Sequence, residues 1–207
     1  MLASDATASR RFTIRALGRK IGTQTNTVAR KGNQLTSRVN IDIDVKIFGM
    51  RVYRYRMNNT EVWEDAQLVS IDAETRENND RPENVRARRL NSMLQLESPR
   101  YNGILDPTDL ATTTYWTKAF LERETWLSTQ DGERYSVSFN APESTSFLVG
   151  RQPVGALRYR VQGDLPISLY YDLNDEWIGT TFEVRGQSVR IYAEDTSQPL
   201  APLWFNA

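Results

Sequence analysis

Residues 35–49, LTSRVNIDIDVKIFG, alternate apolar and polar side chains from Val39 to Ile47, with Leu35 and Ser37 continuing the same phase. Leu35, Ser37, Val39, Ile41, Ile43, Val45 and Ile47 fall on one side, and Thr36, Arg38, Asn40, Asp42, Asp44 and Lys46 on the other. Successive strand residues point to opposite faces, so this spacing puts one face against a core and the other in water. The strand it predicts runs to about 13 residues, against a usual mode of about 5–6, which favours a coiled, strongly curved sheet over a flat sandwich.

The same period of two extends in both directions, and a helical period is almost absent. Upstream, RFTIRALGRKIG (11–22) alternates Phe12, Ile14 and Ala16 against Arg11, Thr13 and Arg15, with Gly18 and Gly22 marking a turn or bulge. Downstream, MRVYRYRMNNTEVWED (50–65) reads as a strand, a two-residue Asn58-Asn59 turn and a returning strand, because asparagine tolerates the positive φ of a type I′ turn. That register makes Arg56 and Glu61 cross-strand neighbours, with Arg54 beside the Trp63 ring on the same face. A second turn near Asp65-Ala66 leads into QLVSIDAET, with Val69, Ile71 and Ala73 on one side, and RENNDRPEN (76–84) reads as a polar loop.

Further on, VRARRLNSMLQLE is a weaker strand region and SPRYNGILDPTDLATTT reads as loop. YWTKAFLER, after the cap candidates Thr112 to Thr114, is the one helical segment expected. ETWLSTQDGERYSVSFN is a hairpin around Asp131-Gly132. The remainder predicts strands near 156–162, 167–171, 177–185 and 188–193, with turns at Gly163-Asp164, Asn174-Asp175 and Gly186-Gln187. The expected fold is therefore all-β for the most part. It is a single curved antiparallel sheet forming a half-open or closed barrel, lipocalin-like or LolA-like, with one or two short helices. Residues 1–10 are expected as a disordered or mature N-terminus, 11–193 as one β domain, and 194–207 as a tail packed on the body or on a partner.

Composition narrows the function classes. Of the 207 residues 26 are Lys or Arg and 26 Asp or Glu, so no global field draws the chain to nucleic acid. Cysteine and histidine are both absent, which removes thiol nucleophiles, thiolate and imidazole metal sites and the usual general base near neutral pH. No run of about 18 apolar residues occurs to span a membrane as a helix. No G-x-S-x-G, P-loop or dinucleotide fingerprint is present, and Asp172, Asp175 and Glu176 in YYDLNDEW lack the spacing of a calcium loop. No metal and no cofactor is expected, and no catalytic residue is assigned.

Several segments resemble, in order, the bacterial family catalogued as domain of unknown function 6134: KIGT, then GMRVYRYRMNNTEVWEDAQLVSIDAETRENN, then TYW, then ALRYRVQGDLPISLYYDLNDEWIGTTFEVRG. The resemblance spans roughly residues 11–193 and is most specific from Glu61-Val62-Trp63 to Asn78. Asn79 stands where the family commonly has glycine, Tyr170 where it has a late tryptophan, and Arg56 to Asn58 where histidines often precede Glu-x-Trp. The resemblance implies a curved antiparallel sheet and an exported, periplasmic or otherwise extracytoplasmic setting, with a signal peptide removed. It implies no reaction.

Aromatic residues make up 10% of the chain, and a curved sheet with one apolar face can close over a hydrophobic guest. The expected function is non-catalytic binding of a hydrophobic or amphipathic, lipid-like ligand. Trp63, Tyr115, Trp116, Trp126, Tyr170, Tyr171 and Trp177 are the candidates to line the concavity, and Arg54, Arg56, Glu61 and Asp172 are polar site candidates. Two alternatives stand beside it: an envelope protein docking on a partner through a sheet edge or its tail, and a carboxylate-dependent enzyme.

Overall fold

The computed structural model describes residues 5–184 and 186–205. Strand accounts for 67% of it and helical turns for 4%. Among the described residues the strands are β1 (Ala6–Ala16), β2 (Arg19–Lys31), β3 (Gln34–Ile47), β4 (Met50–Glu64), β5 (Gln67–Glu77), β6 (Glu83–Leu90), β7 (Met93–Glu97) and β8 (Asn102–Leu105). There follow β9 (Leu110–Thr112), β10 (Thr125–Leu127), β11 (Arg134–Phe139), β12 (Glu143–Val149), β13 (Gln152–Gly163), β14 (Ser168–Asp172), β15 (Trp177–Val184) and β16 (Gln187–Ala193).

All lie in one sheet, in the order β8-β7-β6-β5-β4-β3-β2-β1-β16-β15-β14-β13-β11-β10-β9, with β12 paired to β13 beside this path. Only the β9–β10 pair is parallel among the described strands. The curved sheet does not close on itself. Its β9 end instead approaches β5, so one edge tucks inside the curl of the other half.

β3 forms as its alternation dictates. Leu35, Ser37 and Val39 are buried, Arg38, Asn40 and Asp42 exposed, and the strand is 14 residues long. Its turn into β4 is Phe48-Gly49, both at positive φ, and β4 then runs 15 residues straight through Asn58 and Asn59. The expected Asn58-Asn59 hairpin is therefore corrected: Asn58 pairs with Asn40 and Asn59 with Val39 on one side, Glu74 and Ala73 on the other. Arg56 lies between Asp42 and Arg76, while Glu61 lies between Ser37 and Ile71. An odd separation within one strand puts Arg54 and Arg56 on the outer face and Glu61 and Trp63 on the inner one. The Arg56–Glu61 ion pair and the Arg54–Trp63 contact do not form.

The Asp65-Ala66 turn is as expected, with φ of 48° and 62°. A bulge just after it shifts the register so that Leu68, not Val69, takes the buried place opposite Trp63. Gly22 also sits at an irregularity: Ile14 pairs with Gly22 but Arg15 with Lys20, and a Cβ on Gly22 would lie 2.4 Å from the Asp42 carbonyl oxygen. Residues 6–10, expected in a disordered N-terminus, begin β1, while residues 1–4 lie outside the described residues. The loop expected over 98–114 contains β8 and β9, and β12 lies where no strand was expected, its Ser- and Thr-rich start offering little apolar alternation. YWTKAFLER forms a 3₁₀ turn at Lys118–Glu122 capped by Thr117.

The tail packs on the body. Trp204 is buried against Trp63, Trp116 and Phe120, at ring separations of 5.3, 5.5 and 5.4 Å, and the Arg30 guanidinium donates to the Trp204 carbonyl oxygen at 3.0 Å. Burying side chains of this size contributes about 1.5–3 kcal/mol each, so this aromatic cluster is the main apolar store of the fold.

Candidate functional site

The inner face of β1–β5 can be read as rows across the sheet. One row is Ala8, Val28, Ser37, Glu61 and Ile71; the next is Arg10, Asn26, Val39, Asn59 and Ala73; a third is Phe12, Gln24, Ile41, Met57 and Thr75. All except Ile41 are buried, and a band of polar side chains runs diagonally across them. Beyond it the inward stripe turns apolar again and opens: Ile43 faces Tyr55, Val45 faces Tyr53, and Ile47 faces Met50 at the exposed end. The concave face thus has a packed aromatic top, a polar belt and an apolar mouth.

Glu61 is fully buried in the belt. Its Oε1 accepts from Asn59 Nδ2 at 2.9 Å and its Oε2 from Trp63 Nε1 at 3.0 Å. The hydroxyls of Thr112 and Thr114, 2.9 Å apart, also reach the carboxyl group from β9 and the segment after it. These threonines, expected as helix caps, instead cover the belt. Burial pushes the Glu61 carboxyl above its ordinary value of 4.5, against the opposing pull of these hydrogen bonds.

Further along the belt, Gln24 donates to Asn26 Oδ1 at 2.8 Å. Asn26 Nδ2, Ser37 Oγ and Asn59 Oδ1 are buried with no hydrogen-bond partner. Buried polar atoms are almost always paired, and an unmade bond costs about 1–3 kcal/mol, so these atoms are hydrogen-bonding capacity that the belt itself leaves unmet. Arg10 at the far end is different. Its guanidinium is 2.9 Å from Glu176 and also donates to the carbonyls of Trp177 and Gln198, while Glu176 accepts from the amides of Leu200 and Ala201. That pair fastens the tail.

The seven aromatic candidates divide. Trp63, Trp116, Trp126, Tyr171 and Trp177 are at most 1% exposed and fill the core: Trp177 packs at a tilt against Phe12 at 4.3 Å and Trp63 against Phe120 at 5.2 Å. Tyr115, partly buried at φ 58°, packs on Trp126 and Trp177 and accepts the Tyr171 hydroxyl at its carbonyl oxygen. Tyr170 belongs to a separate cluster with Phe147, Ala156 and Ile178, beneath β12. Of the polar candidates, Glu61 alone lies in the belt. Arg54 and Arg56 face outward, and Asp172 Oδ1 accepts from the amides of Asn174 and Glu176, which shapes the β14–β15 turn. Among the described residues no three acidic side chains converge as a metal centre would need. Sequence reasoning missed Asn26, Ser37, Asn59, Thr112 and Thr114. Each is unremarkable in its own segment, and strand pairing alone brings them together; the local signal was the inward phase of Asn59, shared with Met57 and Glu61.

Replacing Glu61 with glutamine tests its protonation. A carboxyl held above its unfolded value stabilises the fold fully below about pH 4.5, and that contribution is lost as pH rises through the raised value. The stability difference between wild type and E61Q should therefore shift against the wild type as pH climbs from 4 to 8, measured by urea unfolding at each pH. A difference independent of pH would show that Glu61 titrates alike folded and unfolded.

Fold and site together define an open, curled β-sheet protein with a polar belt inside an apolar mouth. The chain belongs to the family described as Domain of unknown function (DUF6134), whose model matches residues 12–194. A solved structure with a similar fold is a beta-barrel-like protein of the domain of unknown function DUF1849 from Brucella abortus, with TM-score 0.51 and 14% identity over 92% of this chain and 96% of that one. No curated protein matches the sequence.

Proposed function

We propose that this protein binds an amphipathic, lipid-like molecule without turning it over, its apolar part along the mouth and its polar end on the belt. The observation that carries the reading is the continuity between the half-exposed stripe of Ile41, Ile43, Val45 and Tyr53 and the unpartnered belt atoms of Asn26, Ser37 and Asn59. The belt's chemistry narrows the guest. Arg10 is paired with Glu176, and the unpartnered belt atoms belong to the amides of Asn26 and Asn59 and the hydroxyl of Ser37, so the belt offers neutral donors and acceptors. An uncharged polar end such as a glycerol ester, hydroxyl or amide fits it better than a phosphate or carboxylate, whose desolvation it would not repay. The compartment we infer is extracytoplasmic, following the exported character that the family resemblance implies.

The test is displacement of a fluorescent polyene fatty acid by glycerol monolaurate in vesicle-free buffer. Val45→Asp should weaken binding about tenfold, since it removes roughly 1.5 kcal/mol of apolar contact. Asn26→Leu should weaken glycerol monolaurate by about fivefold while leaving the polyene probe nearly unchanged. Equal affinity in wild type and V45D would remove the mouth as the site.

A further inference from the structure

The large exposed apolar side chains are not scattered evenly. Leu17 is 71% exposed, Ile47 50%, Phe48 97%, Met50 68%, Val52 52% and Val184 47%. Antiparallel order places all six at one end of the sheet, on the β1–β2 turn, the β3–β4 turn and the end of β15 where it leads to β16. These hairpins are neighbours, since β4-β3-β2-β1-β16-β15 run side by side. Leu90, Ile104 and Leu173 are exposed on separate elements.

Two of the tips also go against backbone preference. Leu17 and Phe48 each occupy the left-handed region, at φ 52° and 49°, immediately before Gly18 and Gly49. Asparagine, aspartate or glycine serves that position without strain, whereas a bulky residue there is a genuine outlier. Three turns at the other end carry polar or small residues, Gly32-Asn33, Asp65-Ala66 and Asn91-Ser92, while Leu173 stands exposed on the β14–β15 turn there and Leu90 beside Asn91. Neither backbone geometry nor contact with water favours an apolar side chain at two adjacent tips.

Charge identifies what such a rim meets. Around the apolar residues stand Arg15, Arg19, Lys20, Lys46, Arg51 and Arg190, against Asp44, Glu183 and, beside Lys20, Glu194. Lys46 and Arg51 share Asp44, at 3.8 and 2.9 Å, and Lys20 lies 3.7 Å from Glu194; Arg15 donates to the Gly18 carbonyl, and Arg19 is exposed. Six cations against three acids leave a local positive excess at this end of a chain that is neutral overall. Protruding apolar side chains ringed by cations match an anionic bilayer surface, where apolar tips enter the interface and each basic side chain near lipid phosphate adds about 1 kcal/mol.

We propose that the β1–β2 and β3–β4 tips, with the end of β15 beside them, seat the protein on an anionic lipid surface, with Phe48 as the deepest anchor. The proposal goes beyond ligand binding and is carried by Leu17, Phe48 and the cations around them, while Ile47 and Met50 end the inward stripe beside the same rim. Full-length protein is floated with vesicles of phosphatidylcholine alone and of phosphatidylcholine mixed with phosphatidylglycerol. Wild type should float with the mixed vesicles and, at moderate salt, much less with phosphatidylcholine. Phe48→Ser with Leu17→Ser should cut the bound fraction at least tenfold. Arg19→Ser with Lys20→Ser should cut it severalfold in low salt and little in high salt. Both variants should keep wild-type affinity for glycerol monolaurate in vesicle-free buffer, so failure here and failure of the ligand reading are separable. No flotation with mixed vesicles, or equal flotation of the Phe48 variant, would overturn the proposal. So would wild-type self-association that Phe48→Ser abolishes without any vesicle binding, since the rim would then join copies of this chain.

Discussion

Glu176→Ala should lower the stability of the fold by about 3–5 kcal/mol, the range for removing one partner of a buried ion pair. The Arg10 and Glu176 side chains are 1% and 4% exposed, so alanine at 176 leaves a guanidinium charge inside the protein with only the Trp177 and Gln198 carbonyls to receive it. The amides of Leu200 and Ala201 lose their acceptors in the same step, and with them the hold on the tail. Against a typical total of about 5–15 kcal/mol this is a large fraction. The urea midpoint reports it. A double replacement, Arg10→Met with Glu176→Leu, should recover much of the loss, because apolar residues of similar volume need no charge compensation. A change below about 1 kcal/mol for E176A would mean that the pair is wetter than its burial implies.

Trp63→Ala should be comparably severe, about 3–5 kcal/mol, as for other large aromatic truncations. The indole is 1% exposed, lies within 5.3 Å of the Phe120 and Trp204 rings, and donates to Glu61. Its removal leaves a cavity beneath the tail and deprives the buried carboxyl of a donor. Trp63→Phe keeps most of the volume and should cost about 1–2 kcal/mol, chiefly through the lost hydrogen bond. Equal losses in the two variants would assign the effect to the hydrogen bond rather than to packing.

The fold was largely legible because a strand with one face in water writes its period into the chain, as β3 does from Leu35 to Ile47. The failure at Asn58-Asn59 is instructive in physical terms. The dipeptide suits a turn, yet Tyr55, Met57, Asn59, Glu61 and Trp63 are all buried, one continuous inward phase that a two-residue hairpin would have inverted. The true turn uses Phe48, a residue whose backbone preference argues against it, so local turn chemistry pointed elsewhere. The aromatic set was legible as apolar mass but not as core or mouth, since that distinction depends on which segments fold inside. The 110–127 stretch and the tail cover the top of the concavity and leave the lower stripe open. The belt itself could not be read locally, because its members come from β2, β3, β4 and β9 and meet only through pairing.

The most direct measurement is a crystal structure of the protein grown with glycerol monolaurate. The acyl chain should lie along Ile41, Ile43 and Val45, with the glycerol oxygens within hydrogen-bond distance of Asn26 or Asn59. A ligand bound elsewhere, or a belt whose side chains pair only with one another or with water while the mouth stays empty at saturating ligand, would contradict it.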